Sequence, residues 1–289
     1  MLPPNKMNVL SLFNGMSTGH TALDNVGIKV GKYYSSEIKL EAIKLTQHHY
    51  PNTIQVGDVT KWNEWDIDWK SINMVLSGSP CQDLSIAGKR AGLEGERSSL
   101  FWVFVDILNH IKKLNPDVLF LQENVGSAPK KDVGVMSRAL GVYPVRINSS
   151  LVTAQMRDRY YWSNIRTAPD GFFGDIVTDI PEPKDRKIFL KDIITSGSVN
   201  NDKHTCLNTS SGTWSNVNQE SLIHRNNTTG MITLIEEEGY VRTVNKVEMC
   251  RLQRFPDDWC DILTRTQAGS LLGDGWTLPI IEHIFSYIK

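Results

Sequence analysis

The sequence predicts an α/β protein, a mostly parallel sheet with helices on both faces, joined to a small loop-rich region. Three observations predict it. Short apolar runs recur between Asn8 and Val125, and segments of helical period separate them. After about Ile165 the alternation stops, and from Thr195 to Gly230 the chain is dominated by Asn, Ser, Thr and Gly. Strand, helix, strand, helix in this order is the pattern of a parallel sheet, whose ligands sit beyond the carboxyl ends of the strands.

The elements follow in order. NVLSLF (Asn8–Phe13) reads as a buried strand, and a glycine-bearing turn leads into helical spacing through Gly27. GKYYSSE (Gly31–Glu37) is a second strand, and IKLEAIKLTQHHY a helix ended by Pro51. GDVT (Gly57–Thr60) ends a third strand. INMVLSG and DVLFLQENV are two further apolar runs, and SSLFWVFVDILNHIKKLN between them has helical length and stops before Pro116. QMRDRYYW reads as a strand with Arg157 and Arg159 on alternate positions of one face. Trp214 and short apolar segments such as KIFLKDII (Lys187–Ile194) argue for a small second domain rather than a disordered insertion. MITLIEEEGYVRTV (Met231–Val244) reads as a hairpin turning at Glu238-Gly239, its acidic run a solvated turn rather than a metal site. The expected boundaries are 7–166 for the main domain, 167–239 for the small region and 240–289 for a return to the main domain.

Composition narrows the function classes. The 289 residues suffice for a sizeable core, and the net charge of −1 announces no electrostatic partner. Nucleic-acid binding would need a local patch. The four cysteines, Cys81, Cys206, Cys250 and Cys260, lack zinc or redox spacing, so a reducing interior is expected. The N-terminal MLPPNKMNVL has no signal-peptide core and no run approaches membrane-spanning length, so a soluble intracellular protein is expected.

The residues with chemical potential fall at strand ends. In LFNGMSTGH, Gly15 and Gly19 follow a strand and open a helix, where backbone can approach a ligand and free amides can donate. Glu37 ends the second strand, where a carboxylate suits two ribose hydroxyls, and Asp58 ends the third, where it suits an adenine amino group. Each alone also reads as a turn or surface residue; together they point to an adenosine-type cofactor. Cys81 follows Pro80 at the end of INMVLSGSP, before a loop with Gly88, Gly92 and Gly95. A free thiol has a pKa near ~8.5 and most intracellular cysteines are small buried hydrophobes. A thiol beside a carboxyl from the neighbouring strand end, Glu123 of ENV, is instead a nucleophile with its acid–base partner.

These motifs, in this order, resemble the DNA cytosine-5 methyltransferases. FNGMSTG resembles that family's cofactor loop, GSPCQDLS its nucleophile motif, ENV its base-binding glutamate and QMRDR its Gln-x-Arg-x-Arg. VRTVNKVEMCRLQRFPDDW resembles its ninth motif and GDGWTLPIIEHIF its last. LFNGMSTG and the GDGW before a Pro-Ile-Ile helix lean toward the animal de novo branch, although Gln155 stands where that branch usually has His. The resemblance covers about Asn8–Ile165 and Tyr240–Ile288 and implies a Rossmann-like, class I S-adenosylmethionine-dependent fold with a target-recognition region.

It further implies the following assignments. Cys81 would attack C6 of a cytosine flipped from duplex DNA, Glu123 would engage N3 and the exocyclic amine, Arg159 would donate to O2, and Arg157 would brace it or touch a phosphate. S-adenosyl-L-methionine would bind at Phe13, Asn14, Gly15, Met16, Ser17, Thr18, Gly19, Glu37, Ile38, Asp58, Val59, Pro80, Asp274, Gly275 and Trp276, with no metal. Asp274 departs from the Asn frequent in the family, and Asn245-Lys246 from its Thr-Pro. DNA contacts are expected from Gln82, Ser85, Lys89, Arg90 and Arg97 in the closing loop, and from Lys203, His204 and Arg225 in the polar region. Self-association through the Leu100–Leu114 helix, at Phe101 and Trp102, is a further expectation. An RNA methyltransferase of the tRNA-modifying branch shares the fold, but its Cys-Phe-Thr signature is absent. An inactive DNA-binding partner would lose the Pro-Cys or the glutamate, and a nicotinamide dehydrogenase has no use for Cys81 and Glu123 together.

Overall fold

The computed structural model describes residues 6–80, 100–171, 174–230 and 232–288. Cys81 and the loop residues Gln82, Ser85, Lys89, Arg90 and Arg97 lie outside the described residues. The chain divides into two compact units: Met1–Ile147 with Asp158–Glu182 and Glu282–Lys289, and Asn148–Arg157 with Pro183–Ile281.

The first unit is built on a sheet. Its elements are β1 (Met7–Leu12), α1 (Thr18–Asn25), β2 (Val30–Ser36), α2 (Leu40–His49), β3 (Ile54–Gln55), β4 (Met74–Ser77), α3 (Leu100–Leu114), β5 (Leu119–Val125), α4 (Lys130–Leu140), β6 (Val145–Asn148) and β7 (Asp158–Ser163). Strand order is β3-β2-β1-β4-β5-β7-β6. The first five are parallel, and β7 runs antiparallel to β5. β4 and all of β5 beyond Leu119 are buried, the near-continuous apolar character of strands covered on both faces. β1 pairs with β2 on one side and β4 on the other. The chain runs outward from β1 to β3 and then crosses back to β4, so the strand order reverses between β1 and β4, the place beyond whose carboxyl ends such sheets bind ligands.

Helix α3 buries Phe101, Phe104, Ile107, Leu108 and Ile111 against Leu10, Leu12, Val75, Phe120 and Trp162. Phe101 is therefore core, which removes it from the expected self-association surface; Trp102 is exposed. A hairpin of β8 (Thr167–Asp170) and β9 (Asp175–Thr178) belongs to this unit, because Thr178 Oγ1 accepts from Ser163 N–H at 3.0 Å and donates to Ser163 O at 3.1 Å. The first unit thus runs past the expected boundary at 166.

The second unit holds α5 (Gln219–Thr229), β10 (Ile235–Glu237), β11 (Tyr240–Arg242), α6 (Lys246–Gln253) and α7 (Arg265–Asp274), and α8 (Leu278–Phe285) begins in it. Glu237 pairs with Tyr240, so the hairpin turns at Glu238-Gly239. The expected return of the chain to the main domain at 240 occurs only at Glu282. Backbone packing holds 240–281 here: a Cβ on Gly273 would lie 2.2 Å from Asn208 C, and one on Gly269 would lie 2.3 Å from Gly212 N. Asn245 opens α6 with a reciprocal cap to Glu248, a sound replacement for the expected Thr-Pro. Among the described residues no helix is long and apolar enough to cross a membrane.

Candidate active site

The turn after β1 is held in an unusual backbone conformation. Phe13, Gly15 and Ser17 all have positive φ, at 55°, 56° and 61°, a region that costs Phe and Ser energy. The surroundings hold them there. Gly15 N–H donates to Glu37 Oε2 at 2.8 Å, and Asn14 N–H to Ser36 O at 3.2 Å. Asn14 Nδ2 donates to Ser17 Oγ at 2.8 Å and Thr46 Oγ1 at 3.2 Å, while Tyr33 OH donates to Asn14 Oδ1 at 3.1 Å. Tyr33 and Thr46 were not legible as site residues; a buried threonine among the polar residues of LTQHH is the one local signal.

Glu37 is the hub. Its Oε1 accepts Ile38 N–H at 2.8 Å and Lys39 N–H at 2.9 Å, in addition to the Gly15 bond at Oε2. A carboxylate offers about four acceptor positions, so three N–H donors leave room for a hydroxyl. Beside it Ile38 is 72 % exposed, an apolar surface open to a flat ring. At the next strand end Asp58 is exposed, and Oδ1 accepts Thr60 N–H and Thr60 Oγ1, both at 2.9 Å. Those bonds hold its carboxyl below the usual range. Met16, Thr18 and Val59, expected among the cofactor contacts, are buried residues.

Gly19 lets α1 sit against the sheet, since a Cβ there would lie 2.4 Å from Leu76 Cδ1. Carboxylate, left-handed turn, glycine approach and exposed Ile38 together fit a nucleoside that offers a sugar hydroxyl to Glu37.

Further along the same sheet edge, Arg159 Nε lies 2.9 Å from Glu123 Oε1, with the two side chains only 14 % and 11 % exposed. Val125 is opposite Arg159 and Glu123 opposite Tyr161, so the pair is a diagonal across one face of β5 and β7. Arg159 Nη1 also donates to Asp158 O at 2.8 Å. Gln122 Nε2 donates to Ser79 Oγ at 2.9 Å, tying β5 to the stretch that ends at Pro80. Among the described residues, buried Ser77 Oγ, Gln122 Oε1 and Asn124 Nδ2 meet no hydrogen-bond partner.

The second unit corrects three expectations. Strand β7 begins at Asp158, so Arg157 and Arg159 do not share a strand face. Arg157 is 3 % exposed and donates to Leu207 O, Gly273 O and Gly275 O at 3.1, 3.1 and 2.8 Å. It neither braces Arg159 nor offers itself to a phosphate. Lys203 Nζ is turned inward onto Ser150 O, Thr153 O and Ile188 O at 2.7, 3.0 and 2.5 Å, and burial lowers its pKa. His204 is buried with Nδ1 against Thr205 O, and burial pushes its pKa down to about 4, so it is a neutral interior side chain. Neither is placed for a groove. Arg225 is exposed on α5, its guanidinium 4.8 Å from the Trp214 ring centroid. Asp274 is exposed, Trp276 half-buried and Gly275 buried.

Residues 7–142 match the model of the C-5 cytosine-specific DNA methylases. The chain is 34 % identical over 176 residues to the orphan methyltransferase M.SPRI of Bacillus phage SPR, covering 56 % of this chain and 38 % of that protein. It is 27 % identical over 213 residues to the type II methyltransferase M.NlaIV of Neisseria lactamica, covering 66 % and 47 %. A rice DNA (cytosine-5)-methyltransferase is 35 % identical over 121 residues, 38 % of this chain and 20 % of the relative. The chain thus spans less than half the length of these relatives. Among solved structures it resembles an Entamoeba histolytica methyltransferase (TM-score 0.70, 14 % identity, 98 % of each chain) and an S. pombe Dnmt2 methyltransferase (TM-score 0.63, 14 %, 98 % of each). At these identities the likeness is one of fold.

Proposed function

From a chain whose residues 7–142 belong with the C-5 cytosine-specific DNA methylases, we propose a DNA (cytosine-5-)-methyltransferase that acts on a cytosine turned out of duplex DNA. The observation that carries the reading is the largely buried Arg159–Glu123 pair at the edge of the sheet that also carries the Phe13–Ser17 turn and Glu37. The pair presents an acceptor and a donor side by side. Glu123 suits the N4 amine and N3 of cytosine, and Arg159 suits O2.

S-adenosyl-L-methionine, when bound, supplies the activated methyl group. Glu37 would hold its ribose, Ile38 would lie against its adenine with Asp58 at the amino group, and the Phe13–Gly19 turn would offer backbone amides. The remaining work belongs to the chain. The Cys81 thiolate attacks C6, which breaks the ring's aromaticity and moves electron density to C5. Glu123 shares a proton with N3 and so limits the charge that accumulates on the ring. Arg159 steadies O2 and the carboxyl together. Once C5 carries the methyl group, its proton passes to water, the freed electron pair re-forms the C5–C6 double bond, and the C6–S bond breaks to release the Cys81 thiolate.

Phage and bacterial relatives support a stand-alone modifying enzyme or the methylating half of a restriction pair, inside a cell where thiols stay reduced. They do not support the lean toward the animal de novo branch. Self-association through α3 would now rest on Trp102, and a monomeric mass by light scattering would dismiss it.

The test uses tritium-labelled S-adenosylmethionine and duplex DNA of varied sequence, with the wild type beside Cys81→Ala. Label on cytosine C5 that disappears in the variant supports the reading, and label on RNA instead overturns it.

A further inference from the structure

We propose that Arg157 is a positioning residue for the Gly273–Trp276 segment, clamping it to the Cys206–Leu207 segment of the polar region. The proposal rests on the reading that Asp274, Gly275 and Trp276 meet the cofactor.

The guanidinium is committed to interior acceptors. Nη1 donates to Cys206 Sγ at 3.2 Å and Leu207 O at 3.1 Å, and Nη2 to Gly273 O at 3.1 Å and Gly275 O at 2.8 Å. Arginine has four terminal N–H groups, so these four acceptors match them all. A phosphate or base oxygen would find all four terminal donors taken, at a site 3 % exposed.

The acceptors explain the purpose. Gly273 O and Gly275 O flank Asp274, so one planar fork fixes the backbone on both sides of that exposed residue. Gly275 O also accepts from Gln253 Nε2 at 3.2 Å, and the same nitrogen donates to Leu272 O at 2.6 Å. Gln253 Oε1 in turn accepts from Gln155 Nε2 at 2.9 Å and Thr277 Oγ1 at 2.8 Å. Gln155 Oε1 takes Leu207 N–H at 3.3 Å. Gln155 and Arg157, two residues apart in QMRDR, thus grip Leu207 by its N–H and its O while holding the Gly273–Thr277 turn. The grip also joins the two segments, so a shift at Cys206–Leu207 is transmitted to Gly273–Trp276.

The test compares wild type with Arg157→Lys, which keeps the charge and loses the fork, and with Gln253→Met, which removes the second donor to Gly275 O. Hydrogen exchange of the cofactor-free proteins is expected to rise at 206–208 and 273–277 in both variants. S-adenosylhomocysteine binding by calorimetry is expected to weaken about 10-fold or more in Arg157→Lys. The salt dependence of DNA affinity should keep its slope. A slope reduced by about one with exchange unchanged would mark Arg157 as a phosphate contact and overturn the proposal. If Arg157→Lys does not fold, Gln253→Met decides by the same exchange readout. Failure of the wild type to bind S-adenosylhomocysteine would sink the cofactor reading, while the exchange result would still decide whether the clamp exists.

Discussion

Arg159 reaches Glu123 from the neighbouring antiparallel strand, Nε to Oε1 at 2.9 Å, on a diagonal that the register of β5 and β7 imposes. A base bound there would meet both partners at once. Glu123→Gln keeps the size and one acceptor but cannot share a proton with N3. Single-turnover methyl transfer is expected to fall about 10²–10³-fold, the usual cost of losing one electrostatic stabiliser of a transition state. S-adenosylhomocysteine affinity should stay within about twofold, because Glu37 and the Phe13–Ser17 turn are untouched. A loss of cofactor affinity equal to the loss of rate would count against a role at the base.

Glu37→Ala should give the opposite split. It removes the acceptor for Gly15, Ile38 and Lys39 N–H together, so the left-handed turn loses its tie to β2. Charged hydrogen bonds contribute about 1.5–3 kcal/mol each, so cofactor affinity should fall at least about 10-fold. Calorimetry with S-adenosylhomocysteine checks this, and unchanged affinity would detach Glu37 from the nucleoside site.

Stability should fall on the acid side in two stages. Burial pushes His20 and His204 each down to about 4, so the folded protein keeps both neutral where the unfolded chain would protonate them. The unfolded state then binds more protons, and stability declines as pH drops from about 6.5 toward 4. Glu248 follows. Burial alone would raise its carboxyl, but Arg242 bound bidentately at 2.7 and 2.9 Å, with N–H donors from Thr195 and Asn245, brings the net shift below the usual value. Its contribution is present above the unfolded pKa and is lost as pH falls through the lower folded one. Melting temperature measured from pH 7.5 to 3 should decline in this order, with His204→Gln flattening the first stage.

What the sequence disclosed follows from how local each signal is. β1, β4 and β5 are apolar runs bounded by turn residues, and Glu37, Asp58 and Glu123 sit at or near the ends of β2, β3 and β5, so pattern and position together reveal them. Helix α5 was hidden because its Asn- and Thr-rich stretch has low intrinsic preference; its start depends on Asn218 Oδ1 accepting Ser221 N–H at 2.9 Å. Arg157 and Arg159 look alike in QMRDR, yet the strand begins between them. The partners of Arg157 lie up to 118 residues away, a separation no local period can report. Lys203 and His204 read as groove donors for the same reason: burial is a property of the folded chain.

Two glycines with similar clash distances should respond very differently to alanine. At Gly19 the new Cβ would meet Leu76 Cδ1 at 2.4 Å, the far end of a side chain that can change rotamer. At Gly273 it would meet Asn208 C at 2.2 Å and Asn208 O at 2.3 Å, both backbone. Gly273→Ala must therefore push the 208–212 segment off α7, and it also displaces an acceptor of Arg157. Overpacking costs typically about 1–3 kcal/mol. Gly19→Ala belongs at the lower end, and Gly273→Ala at or beyond the upper. Denaturant unfolding of the two variants provides the comparison. Equal destabilisation would mean that the Asn208 backbone yields as readily as the Leu76 side chain, and that the contact between α7 and the recognition segment is not the rigid joint these distances describe.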